Sequence, residues 1–427
     1  MTKIPDTMVT SSINKKIIRA GIIGNVMEWY DFAIYGYFAL IIGKLFFPSS
    51  SASTSVIAAF GAFAAGFLMR PIGSLIFGNI GDKVGRKRAL LISVLMMAIP
   101  TFLIGFLPVH EQIGITAPIS LVILRMLQGL SVGGEYTTSI VFLVENSPDG
   151  RRGFMASWSG WGAVAGILLG SAIASLVTTL LTPAQLSSWG WRLPFLIGII
   201  IAFVGFYIRR HLPDMSPVSN QEKPTSPIRE TFTHEWRSLL KIAGLNLVNA
   251  VAFYMIFVYA TTWLQQTEHI AASKTLDINS ITMATMLIFI PLAGVLSDKI
   301  GRKIVLLIAA LGIAILSYPL FWLMHHQSII MIWSGQFGFA ILVSLFSGAN
   351  TAAMAEMVPA RVRVTTVSVG YNLILGMFGG TTPMVCAYLM SRTHMDLSPA
   401  LYLMAAAVVS TLVIVRMKET AHKPLVT

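Results

Sequence analysis

Five charged residues stand inside otherwise apolar stretches of the chain: Glu28, Asp31, Arg70, Arg125 and Glu135. A charge in such a setting is costly, so it faces a cavity and is met by a partner. At about 100° per residue on a helix, Glu28, Asp31, Phe32 and Tyr35 share one face, and Asn25 extends it. Arg125, Gln128, Glu135 and Tyr136 share a face of another helix. The chemistry that suits such stripes is reversible protonation. A carboxyl gives up its proton beside an arginine and holds it when desolvated, so one that alternates between those settings loads and releases a proton. Glu28 or Asp31 is the expected proton carrier, and Glu135 is a third candidate. Arg125 has two readings: its planar fork holds a ligand carboxylate, or it pairs with a carboxyl of the cavity. Arg70, beside Pro71 and Gly73 near the end of its stretch, reads as a gating or structural residue. The competing reading is structural throughout, with acid–arginine pairs locking helices and Glu135 tied to Arg125 or Arg70.

The elements that must position these charges follow from composition. The 427 residues are 55% hydrophobic and 11% charged, against roughly 25% charged in soluble domains. Mean hydropathy is +0.74. So few charges cannot cover a soluble surface of this size, and so many apolar residues would collapse rather than stay disordered. What remains is a polytopic membrane protein rather than a soluble enzyme. Charge-free runs at 45–69, 89–109, 153–191, 193–208, 242–267, 278–297, 304–355, 364–391 and 397–415 supply spans of the roughly 20 residues a bilayer needs. Run 304–355 holds two spans with a turn near His325 and His326, and spans near 18–42 and 119–143 carry internal charges. The expectation is an all-α membrane protein of 12 transmembrane helices, six on each side of a polar segment at 209–237. A β-barrel is excluded by segment length and the lack of period-two alternation. The expected units are a cytoplasmic tail 1–17, a six-helix bundle 18–209, a linker 210–236, a second bundle 237–417 and a short tail 418–427.

Of the 30 Lys and Arg, 24 fall in the tails and in the loops after even-numbered spans. Only Lys44, Arg192, Lys274 and Arg392 fall on the opposite side. Positive loops stay inside, so both termini and the linker are expected in the cytoplasm. The net charge of +12 is then a topology signal, and nucleic acid is not an expected partner. Cys386 is the single cysteine, the eight histidines are scattered, and neither a nucleophilic triad nor a phosphate-binding loop is present. No metal, cofactor or enzymatic activity is expected; the coupling ion is the proton.

The sequence repeats. Gly78, Asp82, Lys83, Gly85, Arg86 and Lys87 recur as Gly294, Asp298, Lys299, Gly301, Arg302 and Lys303, offset by 216 residues. Glu145 and Arg152 recur as Glu356 and Arg363, offset by 211. Two tandem six-span halves explain both. The glycines permit a tight turn, and the carboxylates can pair with arginines or sit at helix N-termini. The first pattern, GxxxDKxGRK between spans two and three, resembles the signature of the major facilitator superfamily. The segments 24–32, 67–73 and 128–135 resemble the metabolite–proton symporters within it. The resemblance covers residues from about Ile18 to about Pro424.

That resemblance implies two pseudo-symmetric bundles and proton-coupled uptake of a small organic solute by alternating access. It implies a multi-pass protein of the cell inner membrane, with lipid, protons and a small solute as partners and no obligate protein partner. The first expectation is a zwitterion such as proline or glycine betaine; an organic acid of the shikimate, α-ketoglutarate or citrate kind is the alternative, ahead of a drug exporter or a sensor. The repeated loop motifs would act as a cytoplasmic gate, and the RxxxG of Arg125 and Gly129 would serve coupling. Osmosensing members carry a long coiled-coil tail; no such segment follows the last span in this sequence, so that mode of regulation is not expected. Quaternary ammonium groups favour aromatic boxes. The cavity candidates are Trp29, Tyr35, Tyr136, Trp158, Trp161, Tyr254 and Tyr371, with Asn25, Gln128, Asn246, Asn249, Asn350 and Asn372 as polar lining. For Trp158 and Trp161 the alternative is packing, and for the asparagines it is interhelical bonding. Trp189, Trp191, Trp322 and Trp333 fit an interfacial belt.

Overall fold

The computed structural model describes residues 6–76, 86–210, 227–326 and 328–426. Among these residues, twelve long helices are laid out in chain order. The first six are α1 (Asp6–Tyr37), α2 (Ala52–Ile76), α3 (Arg86–Phe106), α4 (Thr116–Glu145), α5 (Arg152–Leu180) and α6 (Leu193–Arg210). The second six are α7 (Trp236–Thr267), α8 (Ala272–Ile300), α9 (Arg302–Met324), α10 (Ile329–Glu356), α11 (Ala360–Thr393) and α12 (Ser398–Arg416). Nine of them are long and apolar enough to cross a membrane as they stand. The turn expected near His325 separates α9 from α10, and α1 already begins at Asp6, within the polar stretch before the first apolar run.

The two halves pack alike. In the first, α1 lies on α5, α2 on α4 and α3 on α6; in the second, α7 lies on α11, α8 on α10 and α9 on α12. The halves meet chiefly where α5 crosses α8, with α2 against α11 and α4 against α10 and α11. The outer surface carries exposed large apolar side chains such as Phe106, Ile119, Leu180, Phe203, Ile315 and Ile330. Such a surface suits lipid, since water would penalise it.

Backbone contact fixes the crossings that matter. A Cβ on Gly129 of α4 would run into the Gly66 carbonyl of α2, and one on Gly66 would lie 2.8 Å from the Arg125 carbonyl oxygen. Glycine therefore lets α4 carry Arg125 in against α2. The α5–α8 crossing works the same way: Gly294 has its hypothetical Cβ 2.7 Å from the Gly153 carbonyl oxygen. This corrects the turn reading of Gly294, which is a helical contact; Gly301, at φ 105°, is the turn residue of that motif. Among the described residues α2, α4, α7 and α11 depart from regularity, α2 by a turn at Met69. Gly133 and Gly134 interrupt α4, and single π-helical turns occupy Met255–Tyr259 of α7 and Leu375–Gly379 of α11. The glycines of α11 thus form a widened turn, a feature frequent at functional sites.

Replacing Gly129 by Val is expected to lower the thermal midpoint in detergent by several degrees and to reduce monodisperse yield, because overpacking a crossing costs about 1–3 kcal/mol. Gly134→Ala, whose Cβ meets nothing within 4 Å, should leave both unchanged.

Candidate functional site

The π-turn of α7 and the break in α4 bring a ring of aromatic side chains together between the halves. Trp29 of α1 meets Tyr136 of α4 and Phe253 of α7 edge to face, each at 5.7 Å, and lies nearly parallel to Tyr254 at 6.1 Å. Tyr371 of α11 closes on Tyr136 at 5.0 Å. These rings line a small cavity of ≈ 20 Å³, together with Gly160 and Ala163 of α5, Asn249 of α7 and Ser347 of α10. Ser347 donates a hydrogen bond to Asn249 Oδ1 at 2.9 Å.

Two buried ion pairs flank the cavity, both inside the first half. Arg70 pairs with Glu28, and its guanidinium lies over Trp29 at 5.6 Å, over Phe32 at 5.4 Å and over Phe67 at 5.1 Å. Its Nε and Nη1 are buried without a hydrogen-bond partner among the described residues. Arg125 lies 3.5 Å from Asp31 and sits over the rings of Phe32, Tyr35 and Phe63. Thr101 of α3 donates to Asp31 at 2.6 Å. Gln128 links Thr101 to Arg125, with 2.8 Å to each. Cation–aromatic attraction of this kind is strongest where water is excluded.

Each end of the molecule is closed by bonds between the halves. At the end that carries the repeated motifs, both Asp298 oxygens accept from the backbone N–H groups of Gly153 and Phe154 at 2.8 Å. They thus cap the N-terminus of α5, where a carboxylate meets unsatisfied donors and the helix dipole. Arg302 binds Asp298 at 2.8 Å and Glu356 at 3.1 Å. Glu356 also lies 3.7 Å from Arg152. Arg363 reaches Glu145 at 2.6 Å. Lys303 donates to the Val415 carbonyl at 2.7 Å, whereas Lys299 is exposed. Gly78, Asp82, Lys83 and Gly85 lie outside the described residues, and Arg86 and Lys87 open α3. At the opposite end the closure is uncharged for the most part. Asn279 of α8 donates to the Tyr37 hydroxyl at 2.9 Å, Tyr37 donates to the Phe257 carbonyl at 3.0 Å, and Ser280 donates to Ser171 at 2.8 Å. Ser175 adds a bond to Asp277.

The expected cavity residues divide. Trp29, Tyr136, Asn249, Tyr254 and Tyr371 line it. Arg125 and Gln128 instead stand at Asp31, and the Tyr35 ring lies under the Arg125 guanidinium with its hydroxyl donating to the Ala59 carbonyl. Trp158 and Trp161 do meet, at 5.6 Å, but on a half-buried side of α5 with Phe154; the cavity takes Gly160 and Ala163 instead. Asn25 bonds Ser139 and the Ser159 carbonyl. Asn350 bonds Asn246, joining α10 to α7, and Asn372 bonds the carbonyl freed at Gly133. These asparagines act as interhelical ties. Glu135 follows the break in α4, and Arg125 and Arg70 are engaged by Asp31 and Glu28. Trp191 corrects the belt reading: it is fully buried against Phe46 and Phe195. Sequence reasoning missed Phe253 and Thr101, which carry no charge signal.

Comparison with known proteins agrees with this layout. The sequence model of the Major Facilitator Superfamily matches residues 21–380 and 242–426. The proline/betaine transporter of Escherichia coli (strain K12) is 36% identical over 432 residues, covering 98% of this chain and 86% of that protein. The glycine betaine/proline/ectoine/pipecolic acid transporter of Dickeya dadantii is 37% identical, with the same coverage. A putative proline/betaine transporter of Staphylococcus aureus is 38% identical over 98% of this chain and 91% of its own length. Among solved structures, the proton:xylose symporter XylE bound to 6-bromo-6-deoxy-D-glucose aligns with TM-score 0.77 at 17% identity, over 97% of this chain and 98% of that one. That likeness is one of fold.

The segment after α12 adds to the closure at the motif end. Thr420 donates to Glu356 at 2.6 Å, and Arg152 donates to the Lys423 carbonyl at 2.7 Å. Partial burial would raise the Glu419 carboxyl, but N–H donors of Ala421, Arg302, Lys303 and Thr420 outweigh it and hold it below the usual carboxylate range. A depressed carboxyl contributes its stability fully above its unfolded value, roughly 4, and loses it as pH falls through the folded value. Glu419→Ala should therefore lower the thermal midpoint at pH 7, with a gap to the parent protein that holds down to about pH 5 and closes below about pH 4. A gap that widens on acidification would contradict this capping role.

Proposed function

Since the chain belongs to the Major Facilitator Superfamily, we propose that it is a secondary transporter that carries a small zwitterion, proline or glycine betaine, together with a proton by alternating access. The observation that carries this reading is the cavity. Five aromatic rings, Trp29, Tyr136, Phe253, Tyr254 and Tyr371, stand around it, and a buried arginine lies against its tryptophan. Ring faces attract a quaternary or secondary ammonium, and a guanidinium with spare donors receives a carboxylate. A zwitterion presents both groups. At ≈ 20 Å³ the cavity holds little more than a water, so the rings part to load substrate.

Asp31 is the proton carrier on this reading. Its pair with Arg125, at 3.5 Å, is the looser of the two buried pairs, and it has a neutral hydroxyl at 2.6 Å. Glu28, bound to Arg70, keeps that guanidinium facing the cavity wall. The end with the repeated motifs is the cytoplasmic gate, because the Lys and Arg excess lies in its loops. Opening inward breaks the Asp298, Arg363–Glu145 and Arg152–Glu356 links; opening outward breaks the bonds of Tyr37, Asn279, Ser171 and Ser175. The protein resides in the cell inner membrane with both termini inside.

An organic-acid cargo is the second reading, favoured by the buried arginines. Arg125, however, sits among Phe32, Tyr35 and Phe63 beside Asp31, which leaves one guanidinium at the cavity. Uptake of labelled glycine betaine into proteoliposomes under an inward proton gradient decides between them. Trp29→Ala and Tyr254→Ala are expected to raise KM about tenfold, the scale of a desolvated cation–aromatic contact, with Trp29→Phe affected less. Uptake of α-ketoglutarate or shikimate, with neither glycine betaine nor proline entering or competing, would sink the zwitterion reading.

A further inference from the structure

Thr101 stands at the junction of a directed hydrogen-bond chain. Arg125 Nη1 is 2.8 Å from Gln128 Oε1, and Gln128 Nε2 is 2.8 Å from Thr101 Oγ1. A guanidinium only donates, so Gln128 must turn its oxygen to Arg125 and its amino group to Thr101. The Thr101 oxygen is thereby an acceptor from Gln128, and its single proton has two possible acceptors. One is Asp31 Oδ1 at 2.6 Å; the other is the Met97 carbonyl oxygen at 2.8 Å. Met97 and Thr101 both belong to α3, while Asp31 comes from α1.

We infer that Thr101 is a two-position hydroxyl switch that positions Asp31 and sets the pH at which Asp31 takes its proton. When Asp31 is ionised, the Thr101 hydroxyl donates to it. When Asp31 is protonated, the new O–H donates to the second lone pair of Thr101, and the Thr101 proton turns to the Met97 carbonyl. Thr101 keeps its own proton throughout, and the transported proton stays on Asp31. The carboxyl thus has a hydrogen bond in both states, in a place where an unmet polar group would be costly. Arg125 of α4 is the charged group that faces Asp31. On α1, Glu28 is bound to Arg70 of α2, Tyr30 donates to the Pro194 carbonyl of α6 and Tyr35 to the Ala59 carbonyl of α2. From α7, Tyr254 lies within electrostatic reach of Arg125. Gln128 also reaches Asp31, but its oxygen is turned to Arg125, so there it only donates; Thr101 both donates and accepts. The inference rests on Asp31 being the coupling carboxyl.

The test is the pH profile of labelled glycine betaine uptake in proteoliposomes. Thr101→Val removes the donor that serves the ionised form, so the pH at which uptake falls to half should rise by about one unit. Thr101→Ser should restore the parent profile. Should the valine variant not fold, Thr101→Ala removes the same hydroxyl without added bulk and is read the same way. A well-folded Val or Ala variant whose profile superimposes on the parent overturns the inference. Asp31→Asn separates the two claims. If it abolishes proton-driven uptake while the Thr101 variants keep the parent profile, only the switch falls; if proton-driven uptake survives it, the coupling role of Asp31 falls, and the switch with it.

Discussion

A charge buried in an apolar bundle has to be matched within hydrogen-bond reach, and losing its partner costs about 3–5 kcal/mol. The arrangement of the two halves follows from this. Glu28 with Arg70 and Asp31 with Arg125 are matched on α1, α2 and α4, all in the first half. On the proposed alternating-access reading the pairs travel with that half, and neither is torn apart when the halves separate. Links that do cross, such as Arg363–Glu145 and Arg152–Glu356, lie at the end of the molecule, where at least one partner in each is partly exposed. Water can take over there when the link breaks.

The two closures are built from different chemistry. At the motif end, the Asp298 carboxylate holds two backbone donors of α5 and is itself held by Arg302. At the other end, the bonds of Asn279, Tyr37, Ser171 and Ser280 are neutral, and each such bond is worth about 0.5–1.5 kcal/mol net. Several small neutral bonds and a few charge-assisted ones can balance, so that neither closed end dominates. The Gly153–Gly294 contact makes the charged closure possible, because any side chain there would hold α5 away from Asp298.

Twelve spans, the repeat and the charged end of the molecule were legible because they depend on bulk properties: run length, Lys and Arg bias, and motifs at fixed offsets. The aromatic cavity was legible in part, since Trp29, Tyr136, Tyr254 and Tyr371 could be placed on spans but not rotated about them. Trp158 and Trp161 show the limit: spacing put them on one face of α5, and only packing decided that Gly160 and Ala163 face the cavity. The extent of α2 was legible only in part. Counting spans by charge-free runs ends a span at its first charge, Arg70, whereas α2 continues to Ile76. Neutral groups such as Thr101, Phe253 and Asn279 leave no trace in such a survey, because their roles depend on what faces them.

Phe32 joins the two sites. Its ring has the Arg125 guanidinium at 4.7 Å and the Arg70 guanidinium at 5.4 Å. On the proposed reading, a proton on Asp31 removes the negative partner of Arg125 and leaves the dry cluster with excess positive charge. A substrate carboxylate arriving at Arg70 supplies the missing negative charge across the same ring. Each event lowers the cost of the other, and linkage requires the effect to be mutual. Loading with both or with neither is then cheaper than loading with one, which is the condition symport needs. The second half contributes aromatic rings and asparagines but none of the five in-span charges, so on this reading the coupling is electrostatic within the first half, and the second half closes over its result.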